Sequence, residues 1–201
     1  MQVKKKKTSK NTVEEIKNVA LLYISKYSYE TIALKEIAQT IGIKTPSIYA
    51  HFESKEQIFM YALKDARKEE REKLMSLVLS FRTKEIEEVL QNFFYYYTDA
   101  KNIVFWKIIL KQSLTNLPNR LLKMLKEEFT EFERDISVHL EEFYRIGQET
   151  GWIQRKDIEQ MISLFFTLVD GLLVEQKLYN EEIYNKRRDN IWEIYKQVIT
   201  Q

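Results

Sequence analysis

The sequence predicts an all-α protein with about nine helices. Glycine and proline are scarce, with four Gly and two Pro in 201 residues, whereas β-sandwiches and barrels need turn residues about every 8–12 positions. Long stretches rich in Glu, Lys, Leu and Ile instead carry apolar residues at the helical period. With 44% apolar residues, the chain can also bury a substantial core.

The first two helices are predicted from the spacing of apolar side chains. From Asn11 to about Tyr27 these side chains recur at helical spacing, which is the pattern of an amphipathic helix. A polar break follows at 28–31. The second helix begins at Leu34 and ends at Gly42, because glycine readily adopts the left-handed conformation that terminates helices.

The third and fourth helices are predicted from their first residues. Lys44 or Thr45 is the N-cap of the third helix. Pro46 lies in its first turn, where a missing N–H costs no hydrogen bond. Ser54 begins the fourth helix, because Gln57 three residues later completes a capping box.

Five further helices complete the chain. Pro118 precedes the longest of them, and the pair Gly147 and Gly151 is expected to end it. The helix over 157–178 is apolar on almost every face, which predicts burial on two sides. The nine predicted ranges are 11–27, 34–41, 45–53, 54–81, 85–99, 103–114, 119–148, 157–178 and 183–199.

The net charge of +2 is unevenly distributed along the chain. Residues 1–55 contain ten Lys and five Glu, a balance of +5, and the remainder contains 22 Lys/Arg and 25 Asp/Glu, a balance of −3. A basic N-terminal region attached to an acidic body indicates a polyanionic partner. We expect two domains, 1–60 and 61–201. Residues 1–10 are expected to form a disordered basic tail, which either contacts the polyanion or only adds solubility.

Composition excludes several kinds of site. The chain has no Cys and two His, His51 and His139, so disulfides, thiolate nucleophiles and Cys- or His-rich metal centres are excluded. His139 follows Asp135 by four residues, but two ligands do not make a metal site, and a salt-bridged or solvent-facing histidine is expected. We therefore expect no enzymatic activity, no metal and no cofactor. The Lys run at 4–7 leads into polar residues and no segment is long enough to span a bilayer, so a cytoplasmic protein is expected.

The second and third helices have the layout of a helix-turn-helix. They are short and are joined by residues 42–44. Ile37, Ile41, Ile48 and Phe52 are expected to point inward and hold the two helices at a fixed angle. The opposite face carries small or hydrogen-bonding groups, which suits a DNA major groove. The residues on or beside this face are Lys44, Thr45, Ser47, Tyr49, Ala50, His51 and Lys55.

This segment resembles the DNA-binding signature of the TetR family of bacterial transcriptional regulators. Residues 33–59 read ALKEIAQTIGIKTPSIYAHFESKEQIF and match the pattern IA-x(3)-GI-x(4)-IY-x-HF-x-SKE-x-IF. The resemblance covers roughly residues 12–59, and the nine-helix plan also fits the family. It implies that Thr45, Pro46, Ser47 and Ala50 lie along the major groove, and that Tyr49, His51 and Lys55 contact phosphates.

Two positions depart from the pattern typical of the family. Ala33 stands where Thr or Ser is frequent as the N-cap of the second helix, so Thr31 is expected to cap it from a shifted start. Ser28 stands where a glycine is frequent after the first helix. Both departures concern local geometry and leave the predicted fold unchanged.

The resemblance also implies that the last two helices form a homodimer. Two subunits are needed because one short recognition helix contacts too few base pairs, whereas two read a palindrome. Ser163, Thr167 and Gly171 are small enough to permit close helix approach. The residues expected at the dimer seam are Ile162, Phe165, Val169, Leu172, Ile191, Ile194, Tyr195 and Val198.

The body is rich in aromatic residues, with 18 of the 26 in positions 84–201. Such residues are either ordinary core or the wall of a cavity for a flat, hydrophobic ligand, and TetR-like proteins typically hold an effector there. The function implied is a repressor that a small hydrophobic or aromatic ligand releases from a palindromic operator. The alternative is a DNA-bound partner-interaction protein without an effector. The candidate ligand contacts are Phe94, Tyr97, Trp106, Phe132, Phe166 and Asp170.

Overall fold

A computed structural model describes residues 9–112 and 116–201 of the chain. Within these residues the chain forms nine α-helices and no strand, which confirms the predicted fold class. Residues 1–8 of the predicted disordered tail lie outside the described residues, and the prediction is wrong for Ser9 and Lys10, which form the first residues of α1. The helices are α1 Ser9–Lys26, α2 Leu34–Ile41, α3 Thr45–Tyr49, α4 Lys55–Leu79, α5 Ile86–Tyr97, α6 Val104–Gln112, α7 Asn119–Glu149, α8 Ile158–Glu175 and α9 Glu181–Thr200.

Most helix ends lie within three residues of the prediction, and two differences bear on the site or its packing. Helix α3 ends at Tyr49 rather than at Glu53, so the recognition helix has only five residues. Gly147 lies inside α7, and only Gly151 beyond its end is left-handed, with φ +76°. A Cβ on Gly147 would lie 2.6 Å from the Cδ1 atom of Ile153. Gly147 is therefore needed for close packing and not for ending the helix.

The helices form two compact units, and the first comprises Met1–Glu69 and Phe105–Phe129. Most of α6 and the start of α7 therefore belong with the N-terminal helices, which a single division after residue 60 does not anticipate. The buried Gln112 side chain of α6 donates from Nε2 to the carbonyls of Ile24 at 2.7 Å and Tyr27 at 2.9 Å. The functional division into 1–60 and 61–201 stays a prediction, because compactness does not report which residues bind DNA.

The second unit comprises Glu70–Val104 and Thr130–Gln201, and its core is aromatic. The rings of Phe94 and Tyr195 are stacked at 5.9 Å, and Phe93 contacts Phe143 and Phe165 edge-on or tilted. The buried hydroxyls of Tyr144 and Tyr195 share a hydrogen bond between α7 and α9. Burial raises the pKa of both phenols, so both are neutral at physiological pH. In the described part of the chain, no helix is long and apolar enough to cross a membrane.

We expect the Tyr144–Tyr195 hydrogen bond to stabilise the second unit. Tyr195→Phe should lower the free energy of unfolding by about 1–3 kcal/mol, because it leaves the Tyr144 hydroxyl buried without its partner. The double variant Tyr144→Phe/Tyr195→Phe should lose less than the sum of the single losses. Because the folded-state pKa values are raised, this contribution is complete below the unfolded pKa of about 10 and is lost at higher pH.

Urea denaturation of the four proteins measures these values. Tyr61→Phe is the matched control, because the Tyr61 ring is 52% exposed and its hydroxyl loss should change stability by less than about 0.5 kcal/mol. Strictly additive losses in the double variant would contradict the coupling.

Candidate nucleic-acid interface

The turn between α2 and α3 depends on a left-handed glycine. Gly42 has φ +74°, and its N–H lies close to the carbonyls of Ala38 and Gln39. The N–H of Ile43 also donates to the Ala38 carbonyl at 3.0 Å, so the last carbonyls of α2 are satisfied by the turn itself. The chain then enters α3 after residues 42–44, with Lys44 as the N-cap.

Helix α3 has one buried face and one exposed face. Ile48 is fully buried, and Phe52, just after the helix, is 4% exposed. Ile37 of α2 is also fully buried, whereas Ile41 is only half-buried. The predicted reading face is open to solvent. Its exposed members are Lys44, Pro46, Ser47, Tyr49 and Ala50, and its half-buried members are Thr45 and His51.

The N-terminus of α4 lies directly after this face and is capped as predicted. The Gln57 N–H donates to the Ser54 hydroxyl oxygen at 3.1 Å, and the Gln57 side-chain oxygen accepts from the Glu53 N–H at 2.8 Å. This capping holds the first turn of α4 with its remaining N–H groups directed out of the helix end, where phosphates bind favourably.

Lys55 is held more tightly than a surface lysine. Its ammonium donates to the Tyr29 carbonyl and lies 4.3 Å from the centre of the Tyr29 ring. Burial lowers the pKa of Lys55, and the nearby Glu30 carboxylate opposes this shift. The predicted phosphate contact therefore also links the start of α4 to the segment between α1 and α2.

The prediction that Thr31 caps α2 is wrong. The Thr31 hydroxyl donates to the Ser28 carbonyl within a turn of 3-10 helix, Tyr29–Thr31. The N-cap of α2 is Ala33, and its N–H donates to the Glu36 carboxylate at 3.2 Å. Glu36 supplies the side-chain half of a capping box, which removes the need for a Thr or Ser at residue 33.

The sequence did not reveal how the turn at Tyr29 is supported. Gln112 accepts from the Tyr29 N–H at 3.3 Å while its amide nitrogen donates to the end of α1. Lys111 donates to the Ser25 carbonyl at 3.2 Å. The one sequence feature that indicates these contacts is a polar pair at the end of the apolar helix α6. The partners of this pair lie 83 and 86 residues away in sequence.

The candidate ligand contacts do not form one group. Phe94, Tyr97 and Phe132 are buried in the aromatic core of the second unit, where Tyr97 meets Phe132 edge-on at 6.4 Å. Trp106 belongs to the first unit and meets Phe129 there. Two others lie in α8 and are half-buried, Phe166 and Asp170. The Asp170 carboxylate contributes to a raised pKa of Glu133, although burial of Glu133 is the larger cause.

The candidate dimer residues divide between the inside and the outside of the protomer. Phe165, Val169, Leu172 and Tyr195 are at most 3% exposed. Ile162, Ile191 and Val198 are half-buried, and Ile194 is 55% exposed. An open groove of about 350 Å³ runs between α8 and α9. Its wall includes Thr167, Leu168, Gly171, Leu172, Asn190 and Ile191.

His139 and Asp135 have separate partners. Asp135 lies 3.5 Å from the Arg71 guanidinium, and the His139 ring is stacked on Phe143 at 6.4 Å. Among the residues that the structure describes, no three His, Cys, Asp or Glu side chains are grouped to hold a metal ion.

The geometry of α2, the Gly42 turn and α3 is that of a helix-turn-helix DNA-binding domain, with α2 buried along one side at Ile37 and Ala38 and α3 exposed on its outer face. Residues 18–62 match the family model of bacterial regulatory proteins, tetR family. This match identifies residues 18–62 as a DNA-binding segment of the TetR type. No curated protein matches the chain.

Solved structures share the fold over nearly the whole chain. A TetR-family transcriptional regulator from Agrobacterium tumefaciens has 17% identity and a TM-score of 0.75, with 96% of this chain and 100% of that chain covered. The fatty acid degradation regulator FadR from Bacillus halodurans has 18% identity and a TM-score of 0.68, with 96% and 97% covered. AibR, solved in complex with isovaleryl coenzyme A and operator DNA, has 17% identity and a TM-score of 0.67, with 90% and 96% covered.

We expect Gly42 to be required for the stability of this domain. Gly42→Ala should lower the free energy of unfolding by about 1–2 kcal/mol, because a side chain at φ +74° is strained. Gly42→Asn should lose less, since asparagine tolerates the left-handed region. Urea denaturation followed by circular dichroism measures both. Equal losses for the two variants would show that a cause other than backbone conformation dominates.

Proposed function

We propose that this protein is a homodimeric repressor that binds a palindromic operator and is released from it by a small hydrophobic or aromatic ligand. The observation that carries the DNA-binding half is the exposed face of α3, which stands on a buried Ile48. Ser47 and Thr45 supply hydrogen-bonding groups for base edges, and Pro46 and Ala50 permit close approach to the groove.

The phosphate contacts follow from the residues around this face. Lys44 is exposed at the N-cap of α3, and Tyr49 is 56% exposed. His51 and Lys55 are placed beside them along the chain, and the capped start of α4 adds backbone N–H donors. These groups position the helix, whereas base contacts determine the sequence that is read.

The α8–α9 groove supports a dimer. Its wall combines apolar and small side chains with the Glu175–Arg187 ion pair, and the α8 and α9 residues Val174 and Ile194 are more than half exposed. A two-fold interface places the same patch of each protomer against its copy. Ile162, Ile191, Ile194 and Val198 form the outer seam in this proposal. Phe165, Val169, Leu172 and Tyr195 support it from within the protomer.

Ligand release is supported by a solved structure of the same fold. AibR is described in complex with an acyl-coenzyme A and operator DNA, so a fold of this kind can hold both. In this chain Phe94, Tyr97 and Phe132 pack directly against other aromatic rings. This interlocking favours the second candidate function, a DNA-bound protein that binds a partner and has no effector in its core.

We expect Lys44 and Lys55 to contact phosphates. An operator is first selected from a random pool of duplexes, where a dimer selects a palindrome. On that operator, Lys44→Ala and Lys55→Ala should each lower affinity and reduce the slope of log K against log salt by about one unit per half-site. Fluorescence anisotropy at several salt concentrations measures the slope.

Lys123→Ala is the matched control, because Lys123 is 80% exposed on α7, away from the reading face in sequence. Its slope should equal that of the unaltered protein. If Lys55→Ala weakens binding without changing the slope, Lys55 acts only through Tyr29. Unchanged slopes for both variants, or random selection without a palindrome, would contradict the proposed DNA contact.

We expect Ile194 to lie in the dimer interface. Ile194→Glu should weaken the dimer about tenfold or more, because a carboxylate would be buried there without a partner. Sedimentation velocity over a concentration series measures the dimer fraction. Ile194 suits this test better than Phe165 or Val169, because its side chain is 55% exposed in the protomer and its loss leaves the core intact.

Val138→Glu is the matched control, since Val138 is 57% exposed on α7. It should leave the dimer unchanged. A dimer that persists in Ile194→Glu, or one that both variants weaken equally, would move the interface elsewhere.

A further inference from the structure

An open surface cleft of about 390 Å³ lies in the second compact unit, apart from the residues considered above as ligand contacts. Its volume is in the range of small-molecule sites. The wall is formed by the end of α4, by the turn that follows α4, by α5 and by one arginine of α9. Its residues are Leu77, Ser80, Phe81, Lys84, Asn92, Tyr95, Tyr96, Asp99, Asn102 and Arg188.

The Arg188 guanidinium is fixed in place at this cleft. It lies 4.3 Å from the centre of the Tyr95 ring and 5.8 Å from that of Tyr184. Its Nε–H is buried and makes no hydrogen bond within the described residues. The nearest carboxylate oxygen, on Asp189, is 3.6 Å away, which is too far for a hydrogen bond. The same oxygen already accepts from the Tyr95 hydroxyl at 2.7 Å.

Two cations and one carboxylate line the cleft, and the Asp189 carboxylate, which is not part of its wall, lies 3.6 Å from the Arg188 Nε atom. Lys84 supplies a second cation, although it also pairs with Glu88. The one carboxylate of the wall, Asp99, accepts from the Lys101 N–H at 2.9 Å and from the Gln176 amide at 3.3 Å. Burial, followed by the bond to Asp189, raises the pKa of Tyr95 to about 12, so the phenol adds no negative charge at physiological pH.

We propose that this cleft binds a small aromatic carboxylate. The carboxylate is held by the fixed Arg188 guanidinium and by Lys84, since a planar guanidinium forms paired hydrogen bonds with a carboxylate. The apolar body of the ligand lies against Phe81, Tyr95 and Tyr96, with the Asn92 amide available at the rim.

The ligand contacts the end of α4 and also α9. Helix α4 carries the capped N-terminus that follows the reading helix. That this ligand acts as the effector rests on the proposed function, whereas its binding to the cleft does not. A ligand that binds one arrangement of α4 better than another shifts the population toward that arrangement.

Isothermal titration calorimetry with the full-length protein tests the binding. The probes are benzoate, phenylacetate and indole-3-acetate, each compared with its neutral amide. At least one carboxylate should bind saturably, and its amide should bind roughly tenfold or more weakly, because the charge-assisted hydrogen bonds are lost. Absence of saturable binding by all three carboxylates would overturn the proposal.

Two variants locate the site. Arg188→Gln should weaken binding roughly ten- to a hundredfold, and Lys84→Gln should weaken it less. Lys84 is the safer change for folding, because it is a partly exposed residue paired within one turn. Arg145→Gln is the matched control, since this arginine is 67% exposed on α7, and its binding should be unchanged. Equal binding by all three variants would place the ligand elsewhere and overturn the cleft assignment.

Operator release is a separate readout. Addition of the bound carboxylate should lower operator affinity in the unaltered protein and have no effect in Arg188→Gln. If the carboxylate binds but the operator stays bound, the site stands and the effector role is wrong. If no operator can be selected, the proposed function fails while the calorimetric result still decides the cleft.

Discussion

The predicted reading face of α3 depends on the burial of Ile48. Helix α3 has five residues, and a helix of that length is not stable by itself, because nucleation costs more than so few hydrogen bonds return. Its shape is therefore imposed by packing: Ile48 is fully buried, and Phe52 fixes the chain where the helix ends. The opposite face of α3 can then carry polar and small residues without loss of the helix. The left-handed Gly42 and the capped start of α4 define the two ends of this short segment.

The same requirement explains the polar contacts behind the reading helix. The segment between α1 and α2 has no long helix of its own, so its backbone groups need partners elsewhere. Gln112 and Lys55 supply them from two different helices, and both converge on Tyr29. Because the Lys55 ammonium already donates to the Tyr29 carbonyl, its side chain has less conformational freedom than that of an exposed surface lysine. If it contacts a phosphate, it does so from a fixed position, which favours one register of the protein on the duplex.

The helix-turn-helix over α2–α4 was predictable from sequence because its signals are local. Gly42, Pro46, and the Ser54–Gln57 pair each define a helix end within three or four residues, and the structure agrees at each of them. The contacts of Gln112 and the Arg188 cleft were not predictable, because their partners are distant in sequence and no periodicity connects them. The sequence also led to an overestimate of the length of α3. Residues 50–53 continue the helical spacing of apolar positions, but the α-helix ends at Tyr49.

Helix α8 shows why the sequence could specify a candidate dimer surface only in part. When a helix is apolar on almost every face, its sequence does not show which face meets the protomer core. The structure places Phe165, Val169 and Leu172 inward, and the face left outside carries Ser163, Thr167 and Gly171 at intervals of four residues. A Cβ on Gly171 would meet nothing within 4 Å in the protomer, so packing within one chain does not require glycine there. Glycine in the middle of a helix costs about 0.5–1 kcal/mol relative to alanine, and close approach of a second helix is a reason to accept that cost.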